Sequence, residues 1–90
     1  METKALLVIA EPVRSTKRVA PEVTRTTILA LCQGRFLSLR QLASLLGRGP
    51  ETLRDGFVGP MVKEGVLELR YPDKVSRRDQ AYRTRAGGRS

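Results

Sequence analysis

The chain of 90 residues is long enough for one small domain and too short for two. It carries 17 basic and 9 acidic side chains, a formal charge of +8, and 40% of its residues are apolar. A single cysteine, Cys32, and the lack of histidine exclude an intramolecular disulfide, a histidine-based or cysteine-rich metal site and a Ser-His-Asp triad. We therefore expect a cytoplasmic protein with a buried thiol, no metal, no cofactor and no enzymatic activity.

Residues 1–22 are predicted to form an N-terminal arm. Residues 5–10 are six successive apolar residues, and Pro12 is expected to end that segment, which is either a short helix or a strand. The run is too short for a signal-sequence core or a membrane span. Because an apolar run must be covered, we expect a homodimer held partly by the arm. The alternative is an arm that folds back on the first helix of its own domain.

The first helix is predicted over residues 22–33, between Pro21 and Gly34. Its buried stripe is expected to contain Val23, Thr27, Ala30 and Leu31, with Ile28 widening it. A short extended stretch, residues 35–37, should follow.

The second helix is predicted over residues 39–46, after a capping box formed by Ser38 and Gln41. Gly47 is expected to end it with a positive φ angle, and residues 47–49 form a three-residue turn. The third helix is predicted over residues 50–64, with a kink or break between Gly56 and Pro60. Its buried stripe is expected to be Leu53, Phe57 and Met61, which leaves Val58 and Val62 exposed.

Residues 66–71 alternate between apolar and polar side chains, which predicts a half-buried strand. A polar loop over residues 72–80 and a return strand over residues 81–84 complete a hairpin. Residues 86–90 are expected to be a disordered tail. The two helices joined by a three-residue turn and followed by a hairpin predict an α+β domain over residues 23–85, a winged helix-turn-helix with three helices. The competing interpretation is an unrelated three-helix bundle with a β-ribbon.

Four stretches of this sequence also carry a family resemblance. They are ILALCQGRFLSLRQLA (28–43), PETLR (50–54), MVKEGVLELRYPDK (61–74) and DQAYRT (79–84). Residues 11–85 as a whole resemble the C-terminal winged-helix segment of the prokaryotic Schlafen-type, AlbA-like ATP-binding and DNA-binding proteins, often described as related to the helicase RecG. The resemblance implies a winged helix, here without the family's nucleotide-binding domain. It implies no ATP hydrolysis, because this chain has no glycine-rich phosphate loop and no paired carboxylates.

Positive charge is concentrated near the end of the sequence. Residues 70–90 carry seven basic and two acidic side chains, a net charge of +5, which predicts contact with phosphates of double-stranded DNA. Phosphate repels Glu51 and Asp55 on the third helix, although a carboxylate can accept a hydrogen bond from cytosine. The exposed face of this helix has few groups that read bases, which does not favour sequence-specific binding. The predicted DNA-binding residues are Arg40, Arg48, Thr52, Arg54, Lys74, Arg77, Arg78, Arg83 and Arg85.

These features predict a small basic winged-helix DNA-binding module, such as a transcription regulator or a DNA-associated accessory protein, with the hairpin as its main phosphate contact. The alternative is a winged-helix protein-interaction or dimerisation module that does not bind DNA, which the acidic face and the apolar arm favour. The expected partners are double-stranded DNA and a second copy of the chain, with no membrane and no small-molecule substrate.

Overall fold

The computed structural model describes residues 2–15, 18–74 and 79–85. Within them the chain forms an α+β domain of four helices and a three-stranded antiparallel sheet. The helices are α1 (Glu2–Arg14), α2 (Pro21–Leu31), α3 (Leu39–Leu46) and α4, which consists of the consecutive segments Pro50–Leu53, Arg54–Val58 and Gly59–Glu64. The strands are β1 (Leu37–Ser38), β2 (Leu67–Leu69) and β3 (Ala81–Thr84). The predicted α+β class is confirmed, whereas the prediction of three helices is wrong.

The additional helix, α1, lies in the predicted arm. It packs against α2 and α3, and Leu6, Ala10 and Val13 are buried in the core of the domain. These residues follow the i, i+4, i+7 spacing of one helical face. Apolar residues on the other faces mask that period in the sequence. Pro12 does not end the helix, because only its last turn loses a backbone hydrogen bond.

The buried face of α2 differs from the predicted stripe. Thr24, Thr27, Ile28 and Leu31 are buried, whereas Val23 is 41% exposed and Ala30 is exposed. The helix meets α1 on one side and lies close to β3 on another. Two neighbouring elements therefore set its buried surface, whereas the sequence pattern predicts a single stripe.

Helix α3 begins and ends as its sequence predicts. The Ser38 hydroxyl accepts a hydrogen bond from the Gln41 backbone N–H at 3.1 Å, and the Gln41 side chain accepts one from the Ser38 N–H at 2.8 Å. Gly47 ends the helix with φ +66°. A left-handed conformation at that position favours glycine, so the short connection to α4 is possible.

Helix α4 is irregular where Pro60 predicted a kink or a break. Residues 54–58 form a π-helical turn, in which the Gly59 N–H donates to the Arg54 carbonyl five residues earlier. Pro60 has no N–H to donate to Gly56, and the wider turn accommodates this loss without breaking the helix. A Cβ atom on Gly59 would lie 2.8 Å from the Arg54 carbonyl oxygen. Glycine is therefore required for the close approach of the backbone.

The π-helical turn also changes which side chains of α4 reach the core. Leu53 and Met61 are buried as predicted, but between them Val58 is buried and Phe57 is only half-buried. The extra residue in the turn advances the buried face by one position. The predictions that Phe57 is a core residue and that Val58 is exposed are therefore wrong.

The sheet has the strand order β1-β3-β2, and the predicted hairpin of β2 and β3 is confirmed. In β3, Tyr82 lies opposite Leu37 of β1 on one side and Leu69 of β2 on the other. The inner face of the sheet covers the helical core with Leu37, Leu67 and Tyr82, all buried. Residues 86–90, the predicted tail, lie outside the described residues.

Candidate functional site

The loop between β2 and β3 is held at its base by one buried side chain. Gln80 is 4% exposed, and its Oε1 accepts a hydrogen bond from the Tyr71 N–H at 2.9 Å. Its Nε2 donates to the carbonyl oxygens of Tyr71 and Lys74, at 2.8 and 2.9 Å. The glutamine thus joins both ends of the loop. The sequence pattern predicts only that this residue belongs to a polar loop.

Three of the predicted DNA-binding residues lie in this loop. Lys74 is exposed and follows a turn in which its N–H donates to the Tyr71 carbonyl oxygen at 3.1 Å. Arg77 and Arg78 lie outside the described residues. The fixed base therefore presents Lys74 to solvent at the start of the most basic part of the sequence.

Arginine and aromatic side chains cover the outer face of the sheet. Arg83 on β3 donates from Nε to Glu68 Oε2 on β2 at 2.7 Å, and its Nη2 donates to the same oxygen. The Arg83 guanidinium also lies 4.5 Å from the centre of the Phe36 ring. Glu68 and Phe36 therefore hold this predicted phosphate contact against the sheet, where a carboxylate offsets its charge.

Arg70 lies on the same face and was not among the predicted site residues. It is exposed, and its guanidinium is 5.8 Å from the Phe36 ring centre and 5.6 Å from that of Tyr71. Unlike Arg83, it has no carboxylate partner among the described residues. The alternation of residues 66–71 places Arg70 on the polar side of the strand, which is the signal that identifies it.

Arg48, predicted to contact DNA from the turn between α3 and α4, has a structural role. Its Nη2 donates to the Val13 carbonyl oxygen in the last turn of α1 at 2.9 Å. In return, Arg14 at the end of α1 donates to the carbonyl oxygens of Ser44 and Leu45 in the last turn of α3, each at 3.1 Å. Each arginine thus satisfies carbonyl groups that the neighbouring helix leaves without an intrahelical donor.

The exposed face of α4 carries charges of both signs. Glu51, Thr52, Arg54 and Asp55 are exposed, and Arg54 Nε donates to Asp55 Oδ1 at 3.1 Å. The hydrogen bond that Arg54 donates to Asp55 raises the pKa of the Arg54 guanidinium. Because the two side chains neutralise each other, this face offers little net attraction to phosphate. Glu51 adds a further negative charge.

The remaining predicted residues occupy separate places. Arg40, at the start of α3, and Arg85, just after β3, are both exposed. Thr52 and Arg48 line an open cleft of about 360 Å³ together with Arg18. The seven predicted residues that the structure describes therefore do not form one continuous cluster. Of the described ones, Lys74 lies in the β2–β3 loop and Arg83 on the adjacent outer face of the sheet.

The Arg25–Glu64 ion pair and the Cys32 thiol contribute to the fold and are not candidate functional groups. Arg25 of α2 forms an ion pair with Glu64 at the end of α4, and this hydrogen bond lowers the pKa of the glutamate. Burial raises the pKa of the Cys32 thiol to about 12, which keeps it protonated. A protonated, buried thiol is a poor nucleophile and a poor metal ligand.

No family model, curated protein or solved structure matches this chain. Among the described residues there is no group of three or more acidic or cysteine side chains arranged to hold a metal ion. None of the helices in the described part of the chain is long and apolar enough to cross a bilayer.

Proposed function

We propose that this chain is a small basic winged-helix DNA-binding module, without enzymatic activity, that contacts the phosphates of double-stranded DNA mainly through its hairpin. Helices α2, α3 and α4 correspond to the three helices of that fold, and the β2–β3 hairpin corresponds to its wing. The short connection after Gly47 and the capped start of α3 support this assignment. The family resemblance of residues 11–85 remains a prediction and agrees with it.

The observation that carries the proposal is a basic loop on a fixed base. The net charge of +5 in residues 70–90 lies on and beyond a hairpin that Gln80 closes with three hydrogen bonds to Tyr71 and Lys74. Because the base is already ordered, contact with phosphate has less conformational entropy to overcome. Lys74 and Arg70 are exposed on this part of the surface.

The same geometry argues for phosphate-driven rather than sequence-specific binding. The face of α4 that would enter a major groove has its arginine, Arg54, paired with Asp55 and carries Glu51 as well. Arg48 is held by α1. We therefore expect similar affinities for duplexes of different sequence, with the wing supplying most of the attraction.

One lysine substitution on the wing tests this proposal directly. Lys74→Ala removes one phosphate contact, so the slope of log K against log salt should become shallower by about 0.9. Lys63→Ala is the matched control, because it removes the same charge from an exposed lysine near the end of α4. The slope of this control should not change.

The double variant Arg77→Ala, Arg78→Ala extends the test to the centre of the wing and should reduce the slope by nearly two. Fluorescence anisotropy with a labelled duplex of random sequence measures each slope. Equal slopes in the wild-type protein and both wing variants would show that the wing is not the contact.

A protein-interaction module is the second candidate function. The specific observation that favours it is the mixed-charge face of α4, where Arg54 is paired with Asp55 and Glu51 adds a negative charge that repels DNA and attracts a basic partner surface. Absence of binding to random duplex at low salt would favour this alternative, because phosphate contacts are strongest under that condition.

A further inference from the structure

Helix α1 presents two opposite faces. Leu6, Ala10 and Val13 are buried against α2 and α3, whereas Val8 is 71% exposed. At about 100° per residue, Val8 points almost directly away from the buried face. Ala5 and Pro12, three residues before it and four after, are also exposed. The helix therefore carries a narrow apolar stripe that its own domain leaves in solvent.

Two opposite charges border this stripe. Lys4 and Glu11 are both exposed, and neither has an ion-pair partner in the described ranges of the chain. They are seven residues apart, so they lie within about 20° of each other around the helix and on the same side of Val8. Lys4 precedes Val8 by four residues and Glu11 follows it by three.

The placement of these charges does not favour α1 as an isolated helix. The positive end of the helix dipole attracts acidic side chains to the first turn, and the negative end attracts basic side chains to the last. Lys4 lies in the first turn and Glu11 in the last four residues of α1. Each charge therefore lies near the helix end at which the dipole disfavours it. An ion pair with a group outside the helix would offset this cost.

We infer that this face of α1 binds the same face of a second copy of the chain, with the two helices antiparallel about a two-fold axis close to Val8. A two-fold axis perpendicular to both helices keeps Lys4 and Glu11 on the same side of the interface and reverses their order along it. Lys4 of each copy then lies beside Glu11 of the other, because the two residues are about 6 and 4.5 Å from Val8 along the helix axis.

This arrangement is self-complementary in both charge and polarity. The exposed Val8 side chains of the two copies bury each other at the centre, and two identical ion pairs close the interface at its ends. A basic partner or an acidic partner would match only one of the two charges. The pattern therefore fits a second copy of this chain, and the resulting dimer does not depend on whether the chain binds DNA.

Charge reversal tests this inference on the full chain. Sedimentation equilibrium from low to high micromolar concentration should show a dimer for the wild type. Lys4→Glu alone, or Glu11→Lys alone, places like charges at both ends and should weaken dimerisation by about tenfold or more. Val8→Asp should abolish it over the same range, because it places two carboxylates at the centre.

Restoration distinguishes this interface from any other. An equimolar mixture of the Lys4→Glu and Glu11→Lys variants should form a heterodimer of wild-type affinity, since each copy then carries one sign of charge on this face. The double variant should dimerise like the wild type. Circular dichroism should show unchanged helix content, because each reversal agrees better with the helix dipole. A wild type that stays monomeric, or a dimer that tolerates both single reversals, would overturn the inference.

Discussion

At the residue scale, Gly59 is required by the backbone rather than by any ligand. Its hydrogen bond to the Arg54 carbonyl oxygen closes the π-helical turn, and an added Cβ would lie 2.8 Å from that oxygen. Gly59→Ala should therefore lower the free energy of unfolding by about 1–3 kcal/mol, as overpacked positions do.

Gly56 is the matched control for this substitution. It lies in the same π-helical turn, and nothing is within 4 Å of a Cβ built on it. Gly56→Ala should raise the free energy of unfolding by about 0.5–1 kcal/mol, because alanine restricts the unfolded chain without strain in a helix. Urea denaturation of the two variants should give changes of opposite sign. Equal changes would show that the turn is not closed as described.

Substitution of Arg48 tests whether this residue stabilises the fold. Loss of its hydrogen bond to Val13 in Arg48→Ala should destabilise the domain by about 1 kcal/mol. Arg40→Ala removes an exposed arginine from the start of α3 and should change stability by less than about 0.5 kcal/mol. Thermal unfolding measures both values. If the two variants were equally stable, the contact between Arg48 and α1 would contribute nothing.

Cys32 makes stability depend on pH in the alkaline range. Its pKa is raised from 9.0 to about 12, so the folded state holds the thiol proton more tightly than the unfolded state does. Stability should therefore be fully present below about pH 9 and fall as the pH rises towards 12. Relative to Cys32→Ala, the wild type should lose about 3 kcal/mol between pH 8 and 11. A difference independent of pH would contradict the burial of the thiol.

At the scale of elements, local patterns predicted helix ends and turns well. The capping box of Ser38 and Gln41, the positive φ of Gly47 and the irregularity before Pro60 all follow from residues close together in the sequence. Each depends on the backbone geometry of one or two residue types, which does not require knowledge of the packed neighbours. These elements position the surfaces of the candidate site.

The wrong predictions have two causes, which are packing against distant elements in α1 and the geometry of the π-helical turn in α4. The buried face of α1 was hidden because residues 5–10 are apolar on every side, and only packing against α2 and α3 selects Leu6 and Ala10. In α4 the extra residue of the π-helical turn replaced Phe57 by Val58 in the core. Neither result can be derived from periodicity alone.

Prediction of the candidate site from the sequence was limited because contacts between distant residues decide which side chains are paired. The charge distribution predicts a basic binding surface in residues 70–90, but it cannot show which arginines have partners. Arg83 is paired with Glu68 across the hairpin, and Arg48 binds a carbonyl group 35 residues earlier in the sequence. Both partners are set by the tertiary fold. Gln80 was overlooked because its value lies in joining two ends of a loop.

At the scale of the whole molecule, the two proposed surfaces lie on different elements. The proposed DNA-binding surface uses the β2–β3 hairpin, whereas the proposed dimer surface uses the face of α1 opposite the core. Helix α1 packs mainly on α2 and α3, and the sheet packs mainly on α2, α3 and α4. A dimer would therefore carry two such hairpins, each able to contact phosphate by the proposed electrostatic mechanism.

The most direct test of phosphate-driven DNA binding through the hairpin is the salt dependence of binding by the wild-type chain. Fluorescence anisotropy should be measured with a labelled random duplex at several salt concentrations. If Lys74, Arg77, Arg78 and Arg85 of one wing each contact a phosphate, log K should fall against log salt with a slope of about −3.6. Tight binding at low salt with that steep loss is the predicted result. No binding at low salt, or binding that does not change with salt, would contradict the proposal that the hairpin binds DNA phosphates.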